Sequence, residues 1–335
     1  MLRRTLLLTV PVFSVAGVLA SCARPASRAT RMNLRVSAST HLSMCPFYVA
    51  YELGYFSDAG FDVELVKDMG TPQSLPLLAG GKLDAGFAGL VPAVVNAVAR
   101  GARLRLVAGR ELISLSCGTA GTVFVSRKVF PQGARSMRQL KGARIGVSDS
   151  SPRTTFWLDT LLQHEGMRLS DVMARKMPYN EEVAALHAGG IDAFVSPETD
   201  LNAELRSLGL LAGPSVAALL PNFQYSYIVF GRRLLEGRVD TGARFLHAYF
   251  RGAGDFLGGR TPRFLDDYAN QNNLDAKLLR QACRATFERD GTIHMDDLRR
   301  YAQWMAEHNL CPANADVAAF VDTRFLEAAR TMKST

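Results

Sequence analysis

Leu34-Arg35-Val36-Ser37-Ala38, then a segment from Pro46 to Gly54, then Phe61-Asp62-Val63-Glu64-Leu65-Val66 decide how this chain folds. The two outer pieces place apolar residues at every second position, the period of a strand with one face buried. Pro46 stands where a helix tolerates proline, in its first turn, and Gly54 or Gly60 supplies a residue that closes one. Strand, helix, strand then repeats outward. Ala85-Gly86-Phe87-Ala88 and residues 104–108 predict a third and a fourth strand, separated by a helix over 92–100 that stops at Gly101. A second series has strands at 122–126, 143–147, 174–177 and 193–195, with helices over 154–165 and 181–188. Residues 225–230 predict one more strand, after which the pattern is helical; Met295, Leu298, Ala302 and Met305 mark an amphipathic helix. Alternation of this kind predicts α/β layering around mostly parallel sheets.

The chain has 335 residues, 48% hydrophobic and 21% charged, a globular composition that excludes collagen-like, coiled-coil and wholly disordered chains. Lys and Arg number 39 against 31 Asp and Glu, a net charge of +8. The basic residues are scattered, with no block or aromatic-interleaved stripe, so no nucleic-acid partner is expected. Residues 1–21 read as an export signal: Arg3 and Arg4, then an apolar run to Ala20 too short to span a bilayer comfortably. Leu19-Ala20-Ser21-Cys22 resembles a bacterial lipobox, which implies lipidation of Cys22 and a tether over 22–32. Loss of the two signal arginines lowers the charge from +8 to +6. Cys45, Cys117, Cys283 and Cys311 are too sparse for a disulfide framework, and whether Cys283 pairs with Cys311 is not fixed by sequence.

A crossover out near residue 122 and a return near 226 give two α/β lobes: 33–121, then 122–225, then 226–335 returning to the first lobe. This is the layout of a clamshell receptor, with the ligand held between lobes beyond the carboxyl ends of the strands. Pro46-Phe47-Tyr48-Val49-Ala50-Tyr51-Glu52-Leu53-Gly54-Tyr55-Phe56 and Ala59-Gly60-Phe61-Asp62-Val63-Glu64-Leu65 resemble the opening of periplasmic substrate-binding proteins for nitrate, sulfonate, taurine and thiamine precursors. The similarity continues through residues 77–89, 97–102, 140–147 and 189–193 and into 291–293 and 321–326. The resemblance implies the type II periplasmic-binding-protein fold with a two-crossover hinge. It further implies a monomeric solute receptor, lipid-anchored in the cell envelope, that delivers a small molecule to an ABC permease and its ATPase.

Candidate ligand residues lie at strand ends. Thr40, His41, Ser43 and Met44 precede a helix whose unpaired N–H groups favour an anion. Gly70 lets a backbone approach a ligand, and Thr71 and Gln73 offer hydrogen bonds. Gly89 and Leu90 follow the third strand. In the second lobe Ser150, Ser151, Arg153 and Thr154 combine hydroxyls, a helix start and an arginine, the strongest anion clamp in the chain. Glu198 offers a carboxylate for an amino-bearing ligand, and Tyr225 an aromatic wall at the return crossover. Trp157 and Trp304, inside helical patterns, read as core. Arg110 and Arg153 favour an anion while Glu111, Asp149 and Glu198 suit a cation or zwitterion. Organic anions such as sulfonates and aromatic carboxylates rank first, then taurine-like zwitterions and nitrate, then thiamine-pyrimidine precursors.

Enzymes share this resemblance, so Cys45 at a helix start has to be weighed as a nucleophile. An aryl-sulfinate desulfinase with a similar Cys-Pro start also uses a histidine and a glycine-flanked arginine downstream; residues 57–101 hold no histidine and only Arg100. The cysteine-rich iron motif of a pyrimidine-precursor synthase is missing, as are the nucleotide, hydrolase and metalloprotease motifs and any C-x-x-C. No catalytic residue, metal or cofactor is expected.

Overall fold

The computed structural model describes residues 31–332 except 40–41, 68, 70, 117–119, 150, 198–204, 206–208, 273–274, 282–283 and 285–286. The export signal, Cys22, Cys117 and Cys283 lie outside the described residues. The first strand begins at Met32, inside the stretch read as tether. No helix among the described residues is long and apolar enough to cross a membrane.

Ten strands are named in chain order: β1 (Met32–Ser37), β2 (Phe61–Val66), β3 (Ala85–Ala88), β4 (Leu104–Leu112), β5 (Thr122–Val125), β6 (Arg144–Ser148), β7 (Met173–Met177), β8 (Ala193–Val195), β9 (Leu211–Ser215) and β10 (Gln224–Gly231). They form two five-stranded sheets, ordered β2-β1-β3-β10-β4 and β7-β6-β8-β5-β9. Each sheet is mixed rather than mostly parallel. β10 runs antiparallel to β3 and β4, and β5 antiparallel to β8 and β9. In both sheets the reversed strand is the one that enters from a crossover, so it arrives at the end where the parallel strands finish. Two α/β halves with this layout form the type II periplasmic-binding-protein architecture.

The sequence pattern missed β9, because Gly213 and Pro214 read as breakers; β9 is an edge strand, where proline displaces no ladder bond. It also missed the helix Thr71–Ala79, whose Pro72 fits a first turn but whose Pro76 lies in the interior. The helices Cys45–Glu52, Pro92–Ala99, Arg153–His164 and Tyr179–Ala188 stand where periodicity places them. The two crossovers are tied to each other: Ile113 N–H donates to the Phe223 carbonyl and Asn222 N–H to the Ile113 carbonyl, each at 2.9 Å. Gly121, with φ +73°, enters the second sheet so tightly that a Cβ there would lie 2.3 Å from Val216 and 3.2 Å from Trp157.

Candidate functional site

The helix Arg153–His164 starts directly beyond the carboxyl end of β6. Thr154 ties the two together, its hydroxyl oxygen accepting from Ser148 N–H at 2.8 Å, and is 1% exposed, so it braces the helix start rather than facing a ligand. Three residues earlier, the Ser151 hydroxyl accepts from Arg153 N–H at 3.3 Å, at the helix start itself. The Arg153 guanidinium lies over Trp157 at 5.0 Å and over Tyr225 at 4.8 Å, and donates from Nη2 to the Pro197 carbonyl at 3.3 Å. Its Nε is buried with no hydrogen-bond partner. Arg153 comes from the second half and Tyr225 from β10 of the first sheet, so this contact joins the two lobes. A buried guanidinium N–H facing no acceptor is costly unless a ligand oxygen fills the place.

Tyr225 itself meets Trp157 edge-on at 5.6 Å, and its carbonyl would lie 3.0 Å from a Cβ at Gly89. Gly89, Tyr225, Ser151 and Arg153 are therefore brought into one neighbourhood. Leu90, 2% exposed, belongs to the adjoining core, as does Trp157.

The first-lobe residues are arranged differently. Arg110 is 6% exposed and its guanidinium donates to Ser226 from Nε at 3.0 Å and from Nη2 at 2.7 Å, to the Ser43 carbonyl, and to the Met44 sulfur at 3.6 Å. It also pairs with Glu111 at 2.5 Å, both side chains buried. The sequence sets Arg110 and Glu111 against each other as guides to ligand charge; in the structure they neutralise each other. Neighbours in a regular strand point to opposite faces, but irregular pairing of β4 with β10 around Ser226 lets them meet. Met44, 2% exposed, packs into this cluster instead of lining a site, and Ser43 serves through its carbonyl. Thr71 and Gln73 lie in the first turn of their helix, Thr71 half-buried and Gln73 exposed, and the Thr71 carbonyl accepts from Ser74 at 3.2 Å. Thr40, His41, Gly70, Ser150 and Glu198 lie outside the described residues.

Residues 42–258 match the NMT1/THI5-like family, more than half of the chain. The chain belongs to that family. No curated protein sequence matches it. Among solved structures it is similar to the alkanesulfonate-binding protein SsuA from Xanthomonas axonopodis pv. citri bound to MOPS, at 19% identity and TM-score 0.68 over 88% of this chain and 99% of that one. The periplasmic aliphatic sulphonate binding protein SsuA from Escherichia coli aligns at 17% identity and TM-score 0.69, over 87% and 92% of the two chains. The desulfurization enzyme DSZB aligns at 16% identity and TM-score 0.66, over 90% and 99%. Receptors and an enzyme thus share the fold of this NMT1/THI5-like chain.

In this family member Cys45 opens the helix Cys45–Glu52 but is 2% exposed, packed with Leu42, Val49, Phe256, Leu265 and Phe287. Buried beneath these side chains, the thiol is closed to a substrate approaching from solvent. The second lobe carries a different buried acid. Glu182, with no exposed surface, has both carboxyl oxygens unpartnered, and burial with the nearby Asp149 charge raises its pKa from 4.5 to about 8. It is therefore mostly neutral at pH 7.

Two residues near Arg153 escaped the sequence reading. Trp157 is core, as its helical position predicts, yet one face also carries the guanidinium. Tyr301, on the helix Met295–Glu307, falls in that helix's apolar stripe and gave no separate signal.

Proposed function

We propose that this protein is the solute-binding component of an ABC importer, taking a small organic anion with a sulfonate-type headgroup between its lobes and delivering it to a permease. One observation carries the reading: Arg153, clamped between Trp157 and Tyr225 where the halves meet, keeps a buried N–H with no acceptor. An anion there gains a charge-assisted bond and draws the second lobe onto β10, so binding and closure are one event. The lobes run over 33–121, 122–225 and 226–335, and the chain acts as a monomer held to the envelope by lipid on Cys22 through the preceding tether. Relatives named for sulfonates support this headgroup, which taurine shares, over nitrate and thiamine precursors. The seating of Cys45 among apolar side chains favours a receptor over a DSZB-like enzyme.

A thermal-shift screen of the form beginning after Cys22, against alkane- and arylsulfonates, taurine, nitrate, aromatic carboxylates and pyrimidines, tests the reading. A ligand at about 100 times its Kd adds about 2.7 kcal/mol, a clear rise in midpoint. Arg153→Ala is expected to remove about 1.5 to 3 kcal/mol of binding. A compound that is converted rather than held would make the protein an enzyme instead.

A further inference from the structure

The helix Met295–Glu307 is fastened at both ends to different halves of the molecule. At its start, Gln224 of β10 donates from Nε2 to the Thr292 carbonyl at 2.8 Å, accepts from His294 N–H at 3.0 Å, and offers its own N–H to Asp297 at 2.9 Å. Near its end, Trp304 Nε1 donates to Asp159 of the helix Arg153–His164 at 2.8 Å. Between these anchors Tyr301 stands against the second-lobe helix, its ring 5.0 Å from Phe156. Phe156 and Trp157 follow Arg153 by three and four positions and so share its helical face. Tyr301 is 6% exposed and its hydroxyl has no hydrogen-bond partner. Burial raises the pKa of that phenol, and the Arg153 charge and Ser151 hydroxyl beside it oppose the rise. Arg153 Nε–H and the Tyr301 hydroxyl are thus two buried polar groups at the start of the helix Arg153–His164, neither with a partner at normal hydrogen-bond distance, the Ser151 hydroxyl making at most a long contact to the phenol.

We infer that Tyr301 is a ligand-binding residue, its hydroxyl donating to the same oxyanion that Arg153 holds. The inference rests on the receptor reading and adds a third wall to the site, from the C-terminal part of the chain. A sulfonate has three terminal oxygens, enough to accept from the guanidinium and the phenol at once. Removal of the hydroxyl leaves the ring packing against Phe156 intact, so affinity changes without loss of fold.

The test compares wild type, Arg153→Ala and Tyr301→Phe by calorimetric titration with methanesulfonate, taurine, MOPS and benzenesulfonate, with melting midpoints of the free proteins as the fold control. The expected result is a 10- to 100-fold weaker Kd for both variants at a Tyr301→Phe midpoint that is unchanged or raised. Weakening by Arg153→Ala with Tyr301→Phe within twofold of wild type would overturn the role of Tyr301 and leave the receptor reading standing. If none of these sulfonates binds wild type, the receptor reading for this class fails and the inference fails with it.

Discussion

The two sheets share one strand order but hold it by different means. β3 is preceded by Asp84 and β8 by Asp192, and each aspartate accepts a backbone N–H from the adjoining strand, Arg35 of β1 or Arg144 of β6, at 2.8 Å. In the second lobe the same Arg144 also reaches Asp192 through Nε at 3.0 Å and Nη2 at 2.7 Å. In the first, the Arg35 side chain turns to Glu64, and Asp84 takes Arg233 at 3.3 Å, leaving its Oδ1 buried without a partner. Behind the sheets the ranking is reversed. Phe47, Phe56, Phe61, Phe230, Phe245 and Phe325 fill the first-lobe core, whereas a flank of the second, around Phe124, Leu186, Ile191 and Phe194, encloses Glu182. Behind its sheet the first lobe depends on apolar packing and keeps its buried ion pair, Arg110–Glu111, on β4, whereas the second joins a more exposed ion pair at one point to an unpaired buried acid at another. One strand order thus tolerates quite different interiors.

The largest expected effect tests the weak point of the second lobe. Glu182 has a folded pKa of about 8 against an unfolded value near 4.5, so the folded state keeps a proton that the unfolded chain releases. Stability from this site is full below about pH 4.5 and falls by about 1.4 kcal/mol per pH unit until about pH 8. Glu182→Leu is expected to stabilise the protein by on the order of 3 kcal/mol at pH 7 and to flatten that slope, measured by urea unfolding from pH 5 to 8. An unchanged slope would place the acid outside the core.

A smaller effect compares the two aspartates. Asp192→Ala removes an acceptor from one backbone and two side-chain donors and is expected to cost about 2 to 3 kcal/mol, against about 1 to 2 for Asp84→Ala. The Arg144 side chain beside Asp192 holds that carboxyl below its usual pKa. Its contribution is therefore present above about pH 4 and is lost as pH falls through the folded value, opposite in sign to Glu182. Equal costs for the two variants would show that the side-chain pair adds nothing. The smallest effect belongs to the first lobe: Cys45→Ser places a hydroxyl among Leu42, Phe256 and Phe287 and is expected to cost about 1 kcal/mol of stability with no change in ligand affinity.

Much of this was legible in sequence because strands and helices announce their buried faces by period. Strand direction is not local information, so nothing in Tyr225-Ser226-Tyr227 shows that β10 runs against its neighbours. The Arg110–Glu111 pair was hidden for a related reason, since it depends on an irregular register with β10. Arg153 was visible as an arginine at a helix start behind hydroxyls. Tyr301 was not, because a tyrosine in an apolar stripe is indistinguishable from core until the polar groups facing it are known.

The register of β10 on β4 pairs Gln224 with Leu112, the two residues from which the chain leaves and re-enters the first sheet. Seen along the chain, the whole second half is an excursion inserted into the turn of a hairpin. Its five strands, β5 to β9, come from one uninterrupted stretch, whereas the first sheet needs β10 from beyond it. The stretch between Leu112 and Gln224 thus carries Arg153, while Tyr225 and Tyr301, which meet it, lie on chain beyond the insertion.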